Sequence, residues 1–206
     1  MRLPLFMFLA LLLVGCGGSE QSSTEVTKEG VDIAKNPLGA LSAIADAGKD
    51  LEKLQAELAN MPPTEVVHFA ELVKALPDVP SGWTADDPKG ETSQMGDFKM
   101  SRASRAYRKE GGEERVEVTI EDWAYNQAIY IPFFMQAHFS QETMDGYSKG
   151  ITVGEDPGRE EYQTKSRRGN RSILAKKRYH TKIDIENADA SLLDEWWPLV
   201  KIGQLP

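Results

Sequence analysis

The pattern that most limits the fold lies in Arg115–Asp122, where Val116, Val118 and Ile120 alternate with Arg115, Glu117, Thr119 and Glu121. A period of two is a strand with one dry and one wet face; on a helix the same residues would scatter round the axis. The parity returns over residues 171–186. There Ile173, Ala175, Tyr179, Thr181, Ile183 and Ile185 share one face, and Lys176, Arg178, His180 and Lys182 the other, with Lys177 the exception. Strands of this kind belong to antiparallel sheets packed on one side.

Other segments fill in the order. Phe98–Lys109 reads as an extended partner for 115–122 across Gly111-Gly112, a hairpin. Residues 147–154 form a short strand, and 160–168 pairs with 171–186 across Gly169-Asn170, a two-residue turn signal. Residues 127–139 are densely apolar and helical after Pro132. Thr64 caps a helix with Val66, Val67, Phe69, Ala70, Val73 and Leu76 on its apolar face, closed by Pro77 and Pro80. Residues 190–200 make a closing helix with Leu192, Leu193, Trp196, Trp197 and Val200. The fold class is therefore α+β, an antiparallel sheet packed with helices.

The N-terminal third is organised differently. Met1-Arg2 is followed by the apolar run Leu3 to Val14, about 18 Å long as a helix and short of a bilayer core of about 30 Å. That is the length of a secretory h-region. Leu13-Val14-Gly15-Cys16 closes it and resembles the lipobox of bacterial lipoproteins. The resemblance implies diacylglycerol on the Cys16 thiol, cleavage before Cys16 and further acylation, a membrane-anchored location in the cell envelope facing the periplasm or exterior, and no remaining thiol. Gly17, where an inner-membrane protein of enterobacteria commonly has aspartate, leans toward the outer membrane. Residues 16–36 are a polar tether with too few large apolar groups to offset ordering entropy. Residues 37–63 hold an amphipathic helix with Leu38, Leu41, Ile44, Leu51, Leu54 and Leu58 on one stripe, ended by Met61-Pro62-Pro63. Residues 64–206 are the globular domain.

The element order of that domain, together with Leu76-Pro77, Gly82-Trp83, Arg115–Asp122 and Trp196-Trp197-Pro198-Leu199-Val200, resembles PsbP-like domains. The resemblance implies an α/β/α sandwich and no particular activity.

Chemistry is sparser. The chain has 206 residues, a net charge of −8, one cysteine and three histidines. The acidic balance disfavours nucleic acid, and one cysteine excludes a disulfide framework or a multi-cysteine metal site. His68, His138 and His180 have no metal spacing, although Glu65 and Glu71 flank His68 at three residues either way. Gly146-Tyr147-Ser148-Lys149-Gly150 matches G-x-S-x-G, with Asp156 and His180 following in hydrolase order. A polar stretch precedes it and a strand pattern follows, which is wrong for a nucleophile elbow. The acidic pairs Asp86-Asp87, Glu113-Glu114, Glu121-Asp122 and Glu160-Glu161 fall at turns or strand ends and read as solvated charges. We expect no catalytic residue, no cofactor and no metal.

Charge distribution says more. Residues 165–182 hold eight cations and no acid, whereas residues 16–100 are net −8. Carboxylates elsewhere are expected to neutralise most of the run, leaving an anion-binding patch at Arg167, Arg168 and Arg171 for an anionic envelope component or an acidic protein. The expected function is a non-catalytic binding or assembly module at the envelope. The alternatives are a small-ligand or lipid carrier lined by Trp123, Tyr125, Tyr130, Phe133, Phe134, Phe139, Trp196 and Trp197, and a serine hydrolase.

Overall fold

The computed structural model describes residues 31–32, 45–46, 48–49, 51–53, 55–57, 59–60 and 64–206, apart from 97, 125 and 138. The signal segment, Cys16 and most of the tether lie outside the described residues, as do His138 and Tyr125. The described residues of 45–59 are helical.

Ten strands form one sheet: β1 (Val31–Asp32), β2 (Trp83–Ala85), β3 (Lys89–Met95), β4 (Phe98–Lys109), β5 (Arg115–Asp122), β6 (Phe139–Thr143), β7 (Gly146–Val153), β8 (Asp156–Gln163), β9 (Arg168–Ala175) and β10 (Tyr179–Glu186). Their spatial order is β1-β6-β7-β8-β9-β10-β5-β4-β2, with β3 on the same outer edge of β4 as β2. All pairings are antiparallel except β1 on β6. Within residues 64–206 the α-helices are α1 (Phe69–Ala75), α2 (Gln127–Gln136) and α3 (Ser191–Trp196). Strands β6 to β10 are a meander that returns β10 to the side of β5, and α2 carries the chain across to the far edge.

Register assigns the two faces. Val116, Val118 and Ile120 lie beside Ile185, Ile183 and Thr181, and these in turn beside Gly169, Arg171 and Ile173. This first face is packed by Leu72 and Leu76 at α1 and by Leu192, Leu193 and Trp196 at α3. Each such side chain contributes about 1.5–3 kcal/mol of burial. The Trp196 ring meets Trp83 edge-on at 5.0 Å and Tyr107 at 4.6 Å. The buried Tyr107 hydroxyl donates to the Pro77 carbonyl at 2.7 Å, and burial pushes that phenol up to about 12.

Several boundaries differ from the sequence reading. Residues 171–186 are not one strand: β9 and β10 meet at a turn through Lys176 and Lys177, both left-handed at φ 52° and 55°. Ala175 pairs with Tyr179, so odd positions keep one face through the turn and the pattern shows no break. Such a turn ordinarily carries Asn-Gly, and two lysines give no signal. Gly169-Asn170 is no turn but lies inside β9. A Cβ on Gly169 would meet the Glu161 carbonyl oxygen at 2.8 Å and the Tyr162 ring at 2.9 Å, so glycine is needed there for close packing. The bend before β9 lies at Thr164–Arg167, where the Arg167 N–H bonds the Thr164 carbonyl. The helix read from Thr64 starts only at Phe69, with His68 as its cap. Backbone groups of 65–67 are drawn into extended chain: the Val67 N–H donates to Asp122 and the Glu65 carbonyl accepts from Arg178.

Candidate functional site

The second face carries the even residues of β10: His180, Lys182, Asp184 and Glu186. Their register partners on β5 are Glu121, Thr119, Glu117 and Arg115, and those of the first three on β9 are Leu174, Ser172 and Asn170. Among the described residues, helix α2 covers one end of this face, where Trp123, Tyr130 and Leu174 pack with Met100, Phe133 and Phe134. The remainder is a broad polar surface. Arg115 bonds Glu117 at 2.7 Å and reaches Glu186 at 3.5 Å, Lys182 pairs with Asp184 at 2.7 Å, and Arg159 with Glu161 at 2.7 Å. An open groove of about 330 Å³ crosses this face between Glu161, Arg168, Asn170, Asp184 and Glu186.

His180 sits where the aromatic cover meets the polar surface. Its Nδ1 lies 3.1 Å from Glu121 Oε2, the same oxygen that accepts from Trp123 Nε1 at 3.2 Å. The imidazole stacks on Trp123 at 4.5 Å and meets the Phe133 ring edge-on at 5.3 Å. Arg102 Nε stands 3.7 Å from the other Glu121 oxygen. Burial pushes the Glu121 carboxyl up, but the hydrogen bond and charge of His180, the Arg102 charge and the Trp123 N–H together hold it below the ordinary glutamate range. An ionised carboxylate only accepts, so Nδ1 is the donor in this pair. The register places Thr119, Lys182 and Ser172 side by side across β5, β10 and β9 on the same face. The arrangement is an oriented imidazole beside hydroxyl, ammonium and carboxylate groups, suited to binding a polar ligand.

All eight cations of 165–182 have an intramolecular partner. Lys165 pairs with Asp145 at 2.5 Å, Arg167 with Asp189 at 3.3 Å and Arg168 with Glu186 at 3.6 Å. Arg171 binds Glu160 and, at 2.6 Å, Asp194. Lys176 donates to the Leu205 carbonyl at 2.5 Å, Lys177 pairs with Glu57, Arg178 with Asp122 at 2.7 Å and Lys182 with Asp184. The expected triad Arg167, Arg168 and Arg171 is therefore divided. Arg171 is buried on the first face as part of an ion-pair cluster that also holds Tyr147 and Lys149, both on Glu160. Arg167 and Arg168 stay near the turn, and the groove beside Arg168 holds three carboxylates.

The acidic pairs split as adjacent strand residues must, one to each face. Asp122 and Glu160 are inside, with side-chain exposures of 0% and 4%, while Glu121 and Glu161 lie on the polar face. Solvated turn charges therefore do not describe these two pairs. Asp122 accepts four hydrogen bonds, from Arg178 Nε and Nη2 and from the backbone N–H groups of Val67 and Ala124. Breaking such a buried pair costs about 3–5 kcal/mol. The partners are 56 residues apart in sequence, so no local pattern announces them.

Ser148 lies inside β7 with no helix after it, and its hydroxyl donates to Glu161 at 2.9 Å. His180 is three strands away, about 14 Å across the sheet. Asp156 opens β8 and accepts from the Lys176 N–H. Glu65 and Glu71 pair with Lys99 and Lys74, and His68 accepts the Ala70 N–H as a helix cap. The expected aromatic pocket divides: Trp123, Tyr130, Phe133 and Phe134 pack on the second face, Trp196 and Trp197 on the first, and Phe139 opens β6 in neither cluster. Among the described residues no group of three or more His, Cys, Asp or Glu is placed to hold a metal. No family model, curated protein or solved structure matches this chain.

Proposed function

We propose that this chain is a lipid-anchored cell-envelope protein acting as a binding or assembly module, with the open polar face of the sheet as its contact surface. One observation carries the proposal: among the described residues, the first face is filled by α1, α3 and the closing turns, whereas the second is covered at the α2 end alone. A sheet face of self-paired charges with an open groove is already neutralised, so it meets a partner through shape and hydrogen bonds rather than net attraction. The groove favours a hydroxyl-rich group, because Glu161, Asp184 and Glu186, which line it, are each already paired with a cation. The anchor rests on Leu13-Val14-Gly15-Cys16.

A PsbP-like domain remains the architectural part of the proposal. The residues behind that resemblance meet in one place, with Leu76, Trp83, Val116, Trp196 and Val200 in or against the same core. A carrier function is the weaker reading, since the aromatic side chains pack ring on ring on opposite faces. The test is photo-crosslinking in intact cells, with the reactive group at Lys182 or Asp184 and a control at Leu199 on the helix side. Capture of one discrete product from the sheet positions and none from Leu199 is expected. Equal capture from both sides would contradict a contact surface on the sheet.

A further inference from the structure

The groove beside Arg168 is one half of a longer depression. A second groove, of about 440 Å³, lies between Gln141, Thr143, Ser148, Gln163 and Lys165, and the two meet at Tyr162 and Gln163. Register fixes what runs along them. Gln141 on β6 lies beside Ser148 on β7, Ser148 beside Glu161 on β8, Glu161 beside Asn170 on β9 and Asn170 beside Asp184 on β10. Five polar side chains on five consecutive strands thus stand in one row on the same face. Four strand spacings separate its ends, about 19 Å. Strand twist rotates each strand about the line of such a row rather than displacing the row.

The chemistry of the row suits hydroxyl groups. Glu161 accepts from Ser148 at 2.9 Å, from Arg159 at 2.7 Å and from Asn170 at 3.4 Å. Burial pushes its carboxyl up, but Arg159 and Ser148 hold it below the ordinary glutamate range, so it stays an acceptor. The Ser148 oxygen and the Asn170 carbonyl keep acceptor capacity, and the Gln141 amide is exposed. The carboxylates lining the two grooves, Asp145, Glu161, Asp184 and Glu186, are each paired with a lysine or arginine. On a chain of net charge −8 this strip is therefore balanced, which complements an uncharged ligand and draws neither a polyanion nor a polycation. The flanking rows, from Thr143 to Arg168 and from Gly150 to Lys182, bring no large apolar side chain. Tyr162 borders the grooves from between rows, its ring packed against the core of the first face. Protein interfaces centre on buried aromatic or apolar anchors, and these rows offer none.

Resting on the reading of the sheet face as the contact surface, we infer that this strip binds an uncharged, extended glycan laid across the strands. A straight β-1,4-linked glycan advances one ring over a distance close to one strand spacing, so each ring meets one member of the row. Successive rings are flipped, which turns hydroxyls toward both flanking rows. Each ring adds hydrogen bonds of modest net strength, so affinity accumulates with length.

The test titrates the full-length chain, kept in a phosphocholine detergent that carries no sugar, with β-1,4-linked pentamers of glucose and of N-acetylglucosamine. Calorimetry should show binding of a pentamer, several-fold weaker binding of its dimer, and no loss in high salt. The α-1,4-linked glucose pentamer, a coiled chain, should bind several-fold more weakly than the straight one. Ser148→Ala and Asn170→Ala should each lower affinity several-fold with an unchanged circular dichroism spectrum, whereas Lys74→Ala, in an exposed pair on α1, should not. Folded protein that binds neither β-linked pentamer at millimolar ligand would overturn the proposal; a protein captured in cells from Lys182 or Asp184 would then leave the contact surface standing. Neither pentamer binding nor capture from the sheet positions would remove both readings together. Binding that is indifferent to length, linkage or the two groove substitutions would overturn the placement along the row. Preference for a sulfated glycan, lost in salt, would overturn the uncharged class.

Discussion

Thr181 places a hydroxyl on the packed face of β10 between Ile120 and Ile173, fully buried and with no hydrogen-bond partner in the structure. An unsatisfied buried hydroxyl costs about 1–3 kcal/mol, so Thr181→Val, nearly equal in shape, should raise stability by about 1 kcal/mol. The denaturation midpoint at fixed slope measures it, and a lower midpoint would mean that the hydroxyl has a partner. Glu121 sets the pH dependence at the same scale. Its native carboxyl titrates below the unfolded value, so its contribution is complete above the ordinary glutamate range, near about 4.3. That contribution disappears as the pH falls through the lowered native value. Glu121→Gln should therefore cost stability at neutral pH and almost none in strong acid. Stability curves for wild type and variant that stay parallel across the acid range would show that the carboxylate is not held by His180 and Arg102.

At the scale of elements, the clearest strand was legible to the residue: Arg115–Asp122 has the same bounds in sequence and structure, and so has Phe98–Lys109. Legibility failed where a local signal had a non-local cause. Gly169-Asn170 has the composition of a turn, yet the glycine is required because β8 presses against it. Gly169→Ala should destabilise by about 1–3 kcal/mol through that overpacking against the Glu161 carbonyl and the Tyr162 ring. Near-neutral stability in thermal melts would restore a turn. Strands β2 and β3 were not legible either. Lys89–Met95 has no large apolar residue before its last, Met95, and so no apolar alternation to mark it as the edge strand it forms on β4. Trp83–Ala85 is too short to show a period.

Across the whole molecule, the cationic run of 165–182 works mainly as structure. Its neutralisation by carboxylates was anticipated from composition; which ones was not, because Glu57, Asp145 and the pair Asp189 and Asp194 come from three separate segments. Charge reversal separates the roles. Arg168→Glu alters an exposed pair and should change stability by about 1 kcal/mol or less. Arg171→Glu leaves Glu160 buried against a like charge and should cost about 3–5 kcal/mol or prevent folding. Equal effects of the two substitutions on the unfolding midpoint would contradict the division of that triad between faces. The candidate surface itself was half legible, since alternation gives the polar face but not the pairing of His180 with Glu121, 59 residues away. The envelope role depends on the anchor. Its most direct test is the intact mass of the mature chain extracted from the membrane fraction. The expected species begins at Cys16 and carries diacylglycerol and a further acyl chain, and Cys16→Ala accumulates as uncleaved precursor. A mature chain with an unmodified Cys16 thiol, or a Cys16→Ala variant that is processed and partitions into detergent like wild type, would contradict a lipid-anchored module.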